Sequence, residues 1–257
     1  MSSNSNGFST VLGSIFISLG LIGGGFAVSK GIYKFKTSSN HVTVKGISER
    51  NVKSDLGIWE IDYREMGGNL SQLTQAIQTD QGKVVAFLKQ HGFTDEEMEV
   101  QPFRVEDKMI SIYNKTDAAA MVDQRYTITS GVRVRSSRVD LIRSTTSTAS
   151  TLIQQGLQLL FDVNSVSPNP SYYYTTLDSI RPAMLSESTK SARILADQFA
   201  KDANMKIGGI ITANQGLFQI MSKDTSTMSA DWNSSQSALS SIDKKVRLVT
   251  TIDYNLR

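Results

Sequence analysis

The chain has no cysteine. That excludes disulfides, a lipid-modified cysteine, thiolate metal sites and thiol catalysis together. It leaves the compartment open, because a cysteine-free chain suits either side of a membrane. Histidine is nearly as scarce, with His41 and His91 the only two. His41 begins a strand, and His91 sits in the last turn of a helix, where a partial positive charge is favourable in any case. A hydrolase built on this pair is the least favoured reading. No His-x-x-x-His, phosphate loop, G-x-S-x-G elbow or dinucleotide-binding glycine pattern occurs. "GFTDEEMEV" supplies Asp95, Glu96, Glu97 and Glu99, without the oxygen-ligand spacing of a calcium loop. Catalysis needs a nucleophile, a base or a metal held at defined spacing. We therefore expect a non-enzyme with no catalytic, cofactor-binding or metal-ligating residues.

An excess of one charge is also missing. The 27 basic and 24 acidic residues leave a net charge of only +3, mixed along the chain. The nearest thing to a basic cluster is Arg133, Arg135, Arg138 and Arg143, two on one face of a strand and two on the following helix. Nucleic-acid binders concentrate Lys and Arg on one face with aromatics between them. This cluster reads as a solvated surface, and no nucleic-acid partner is expected.

Long apolar runs are limited to one, "SIFISLGLIGGGFAVSKGIYKFK". From residue 8 to residue 29 no charge appears, and 22 residues suffice to cross a hydrocarbon core of about 30 Å as a helix. A cleaved signal has a basic start, a shorter apolar run and a small-x-small exit. An uncleaved anchor fits better here, with the lipid bilayer as its partner. Gly20 and Gly24, and Gly23 and Ala27, give it a small-residue face. Orientation is contested. Lys30, Lys34 and Lys36 follow the span and would keep the domain in the cytoplasm by the positive-inside rule. A short tail ahead of a first span argues for export instead. The organisation is then a tail at 1–7, an anchor or uncleaved signal at 8–29, a polar linker at 30–40 and a domain at 41–257.

Within that domain the apolar period alternates between two and 3.6. Trp59, Ile61 and Tyr63 alternate with Glu60, Asp62 and Arg64, as in a half-buried antiparallel strand. Asn69 with Gln72 opens a helix whose stripe is Leu70, Leu73, Ile77, Val84 and Leu88, ending at His91-Gly92. Strands follow near 98–105 and 126–134, then a helix over 138–155. A third helix begins near Asp178 or Ser179, placing Pro182 in its first turn. Its Ser188, Ala192, Ala196 and Ala200 recur every four residues, which lets it lie close against a sheet. The last strand alternates from Val246 to Leu256 and is long enough to pair at a sheet edge. Strands in pairs between helices predict an α+β fold, antiparallel sheets with about three helices on one face. Residues 222–241 read as a loop in which half the positions are Ser or Thr, with Trp232 among them. Tyr172, Tyr173 and Tyr174 cannot all face one way in a strand. These three tyrosines and Trp232 are the candidate ligand or partner contacts.

"HVTVKGISERNVKSDLGIW", "RYTITSGVRV", "NPSYYYTTLDSIRPAMLSESTKSARILADQFAKDANMKIGGI", "ANQGLFQI" and "IDKKVRLVTTIDYNL" together resemble the SIMPL domain (DUF541) over nearly all of residues 41–257. They look like its branch of exported, single-anchor bacterial envelope proteins. The family often has Pro-Asp where this chain has Ser54-Asp55, and Asn204 stands where a helix-ending Gly is common. The resemblance implies an α+β fold, a periplasmic domain on an inner-membrane anchor, ring- or channel-like homo-oligomers in some members, and associations with envelope or oxidative stress. It transfers no catalytic residues. Two functions are carried forward: an anchored protein acting through homo-oligomeric assembly or partner binding, and a module binding a glycan or peptide through exposed aromatics.

Overall fold

The computed structural model describes residues 40–110, 123–160, 169–224 and 232–257, with isolated positions before residue 40 and the backbone alone at 232–235. Apart from those isolated positions, the expected anchor at 8–29 and the linker lie outside the described residues. Among the described residues no helix is long and apolar enough to cross a membrane. The fold is α+β with antiparallel sheets, and the chain falls into two compact units. The larger holds Glu49–Pro182 and Phe218–Arg247, the smaller Met1–Ser48, Ala183–Leu217 and Leu248–Arg257.

The larger unit is built on β2 (Leu56–Gly67) and β5 (Tyr126–Ser136), paired antiparallel along their whole length. The short strands β3 (Met98–Val100) and β4 (Arg104–Asp107) line the far side of β5. β6 (Leu159–Leu160) and β7 (Ser171–Tyr173) line the far side of β2. The period-two pattern of β2 sends Trp59, Ile61 and Tyr63 to one face, opposite Val134, Val132 and Ser130. Helix α1 (Leu70–Gln90) covers that face with Leu73, Ile77, Val84 and Leu88, while Leu70 at its start stays exposed. Asn69 caps it, its Oδ1 accepting from the amides of Ser71 and Gln72, and Gly92 beyond its end has φ of +91°. The helix expected over 138–155 is broken into α2 (Val139–Thr146) and α3 (Ser150–Gln154). The Thr146 and Ser147 hydroxyls donate back to the carbonyls of Ile142 and Ser144, a competition that favours interruption. Counting these two as one run, the described chain carries about four helices.

Helix α4 (Leu177–Asp202) starts earlier than the sequence pattern predicts, so Pro182 stands sixth within it and not in the first turn. The Asp55 carboxylate accepts from the amides of Thr175 and Thr176, which anchors this earlier start. The fourth helix, α5 (Trp232–Ser240), occupies the second half of the segment expected to be a Ser/Thr-rich loop. It packs beside β7 and β9 (Gln219–Ser222). The first half of that segment, 225–231, lies outside the described residues.

In the second sheet the strand order is β1 (His41–Lys53), β10 (Asp243–Leu256), β8 (Ile207–Gln215), the smaller unit holding β8, β1 up to Ser48 and β10 from Leu248. Val44, Ile252 and Tyr254 pack under Ala192 and Ala196 of α4. Ser188 is buried in the same stripe, its hydroxyl 2.7 Å from that of Thr250. This small-residue face is the one the sequence periodicity marks. β10 is not an edge strand, contrary to expectation: it has β1 on one side and β8 and β9 on the other. Its alternation reflects a central position with one face covered by a helix.

Candidate functional site

With β10 central, the outer strands of this sheet among the described residues are β1 and β8. β8 reads IGGIITANQ, without a charge or a proline. Natural edge strands are usually blunted by such residues, by bulges or by a covering element. β8 has register shifts opposite Asp253/Tyr254 and Tyr254/Leu256, and then runs in regular register from Thr212 to Gln215. Ile210 and Ile211, at the shifts, are each 54% exposed, and Leu217 just beyond is more so. The polar face of this sheet is ordered by one carboxylate. Asp253 accepts from the hydroxyls of Thr212 on β8 and Thr43 on β1, which hold its pKa below the usual carboxylate range. β8 is thereby fixed in place, and among the described residues no strand pairs with its outer edge.

The tyrosine strand divides by parity. Tyr172 stands opposite Gly57 and is only 3% exposed. A β-carbon on Gly57 would come within 2.6 Å of Ile142 and 3.4 Å of the Tyr172 ring, so the glycine makes room for both. Tyr172 is thus a core residue, and burial pushes its hydroxyl pKa up. Tyr173 and Tyr174 are half-buried. Trp232 opens α5, but its side chain lies outside the described atoms. The structure brings the segments carrying Trp232 and Tyr173 side by side, because α5 packs on β7. It removes Tyr172 from any surface.

Of the acidic and arginine clusters singled out in the sequence, Glu97, Glu99, Arg133 and Arg138 are engaged with one another. Glu97 pairs with Arg138 and accepts from the Ser136 hydroxyl and the Thr94 amide. Although burial opposes it, these partners hold its pKa down to about 2. Asp95 pairs with Lys89 at 2.8 Å, and Arg133 bridges Glu60 at 2.7 Å and Glu99 at 3.6 Å. His91 Nδ1 lies 2.8 Å from the Phe87 carbonyl and Nε2 lies 3.1 Å from the Thr148 hydroxyl, tying α1 to the turn before α3. Among the described residues no three His, Asp or Glu stand close enough to hold a metal ion.

Lys244 escapes the sequence reading. It is 2% exposed, and its ammonium donates to the carbonyls of Ala238, in the last turn of α5, and Ser241, just beyond it. Desolvation pushes its pKa down to about 8. The signal was present, since Lys244 shares the parity of Val246 and Leu248 on the buried face of β10.

The sequence profile of SIMPL, a protein family of unknown function (DUF541), matches residues 42–252. The chain belongs to the SIMPL family. No curated protein matches it. The SIMPL match begins in β1 and ends in β10, and residues 8–29 lie outside it. Ser54 and Asn204, where the resemblance leads us to expect proline and glycine, have a structural reading. Ser54 donates through both its amide and its hydroxyl to the Ile242 carbonyl, each at 2.9 Å. Asn204 takes φ of +53°, the conformation a glycine would supply.

Proposed function

We propose that this SIMPL protein is a non-enzymatic, single-pass inner-membrane protein that works by self-assembly, its folded domain in the periplasm. The reading is carried by the β8 edge: nine residues without charge or proline, next to one strand only among the described residues, with Ile210 and Ile211 exposed. Pairing with the edge of another copy satisfies the open row of backbone groups and covers the two isoleucines. The apolar run at 8–29 supports the anchor, and the setting the resemblance implies is envelope or oxidative stress. Light scattering on the full-length protein in detergent tests the reading. A discrete multimer supports it, and a monomer at high concentration sinks it.

A second reading has its own observation, the packing of α5 on β7 that sets the Trp232 segment beside Tyr173. In that reading Tyr173, Tyr174 and Trp232 contact a glycan or peptide. Tyrosine and tryptophan fluorescence unchanged across a panel of both ligand classes rules it out.

A further inference from the structure

Helix α4 buries one face against the sheet of the smaller unit and leaves the rest to solvent. On one flank stand Ile194, Leu195 and Phe199, exposed by 70%, 44% and 55%. Lys190, Arg193 and Lys201 border them on the other, with Asp197 beside them, while Asp202 accepts from the Gln198 side-chain amide at 2.9 Å on the apolar flank. Three large apolar side chains in water, edged by cations, are the composition of a helix that lies in a membrane interface. The same composition on a free surface leaves an apolar patch that calls for a cover.

The position of this flank bears on what covers it. α4 ends at Asp202, and Asn204 turns the chain into β8. At the start of β8, Lys206 exchanges backbone hydrogen bonds with Arg257 at 2.6 and 2.8 Å. Beside them the Leu256 amide donates to the Asn40 carbonyl at 2.9 Å. The carboxyl end of α4, the start of β8 and the entry of the chain from the linker therefore share one end of this unit. Ten residues, and so eleven Cα-to-Cα steps, lie between Ser29, the last of the apolar run, and Asn40. Fully extended they reach roughly 35–40 Å. Lys201, Lys206 and Arg257 are exposed at this end.

We propose that this flank of α4 rests on the anionic lipid surface of the bilayer that holds the chain, with Ile194, Leu195 and Phe199 entering the headgroup region and Lys190, Arg193 and Lys201 meeting lipid phosphates. Cations near such a surface each add favourable energy that falls off within a Debye length. The contact orients the smaller unit on the membrane and leaves the β8 edge free. It rests on the anchor reading above for its proximity to lipid.

Because the chain lacks cysteine, single labels test this on the full-length protein. Gln198→Cys, on the exposed arc between Ile194 and Leu195, carries an environment-sensitive dye. Gly20→Cys carries the same dye in the apolar run. Each labelled protein is reconstituted into vesicles of phosphatidylethanolamine and phosphatidylglycerol with a lipid-borne quencher. The expected result is strong quenching at both positions, with quenching at 198 lost when Ile194, Leu195 and Phe199 are all replaced by Ser. Quenching at 20 alone overturns the proposal and keeps the anchor. A label at 198 that is shielded from water but unquenched also overturns it, because protein then covers the flank. Quenching at 198 alone supports the lipid contact and removes the anchor. Quenching at neither removes both.

Discussion

Gly46 of β1 lies directly beneath the backbone of Ser188 in α4: a β-carbon on Gly46 would come to 1.8 Å of the Ser188 carbonyl oxygen and 2.7 Å of the Ala192 amide nitrogen. Neither atom can swing aside as a flexible side chain would. The small stripe of α4 and this glycine are therefore one device, which sets the distance between helix and sheet.

Gly46→Ala should lift α4 from the sheet and destabilise the protein by about 3 kcal/mol or more, as overpacking against backbone does. Gly209→Ala, in β8 with no atom within 4 Å of the added carbon, should change stability by less than about 1 kcal/mol. Urea unfolding of both variants checks the contrast. Equal effects would contradict the close packing.

Lys244 predicts an alkaline signature. Burial lowers its pKa in the folded chain from 10.5 to about 8, so the unfolded chain binds more protons between those values. Stability from this group is therefore greatest above pH 10.5, and it falls as the pH drops through 8. The rise across that window is on the order of 2–3 kcal/mol. Lys244→Met should remove the rise, shown by comparing urea midpoints of wild type and variant at pH 8 and pH 10.

Glu97 predicts the opposite edge of the pH range. Its carboxylate is held down to about 2 from 4.5 by Arg138, Ser136 and the Thr94 amide, against desolvation. The stabilisation is present above pH 4.5 and lost as pH falls through 2. Allowing for the solvent exposure of Arg138, it is worth about 1–2 kcal/mol. Acid unfolding of Glu97→Gln, followed by circular dichroism, should begin from a lower stability at pH 6 and show a shallower decline below pH 4.

Asn204 holds a left-handed conformation, with φ of +53°, between α4 and β8. Asn204→Gly should leave thermal stability within about 1 kcal/mol of wild type, while Asn204→Val should lose about 1–2 kcal/mol through the steric cost of its branched β-carbon. A stable Val variant would contradict that backbone turn.

Much of this architecture was legible where burial is one-sided. β2 and β10 alternate because one face of each meets a helix, and α1 shows both its cap and its stripe. The four-residue spacing of Ser188, Ala192, Ala196 and Ala200 announced a helix pressed on a sheet. What was hidden depends on pairing far along the chain. Whether β10 is central or at an edge turns on β8, whose own pattern is blurred by register shifts opposite Tyr254. α5 was unreadable because WNSSQSALS carries few apolar residues and serine does not mark a helix interior. Of the candidate contacts, Tyr172 was lost to the core because its partner is Gly57, and the vacant space over a glycine draws in a ring. The open edge at Ile207–Gln215 was not among the residues the sequence singled out, since exposure at an edge leaves no periodic trace.

The central claim is self-assembly through the β8 edge. Sedimentation velocity on the full-length protein in detergent, wild type beside Ile211→Lys, tests it most directly, because a lysine there blunts the edge without entering the core. The account predicts a discrete multimer for wild type and smaller species for the variant, with unchanged circular dichroism. A monomeric wild type, or a multimer indifferent to the lysine, would contradict it.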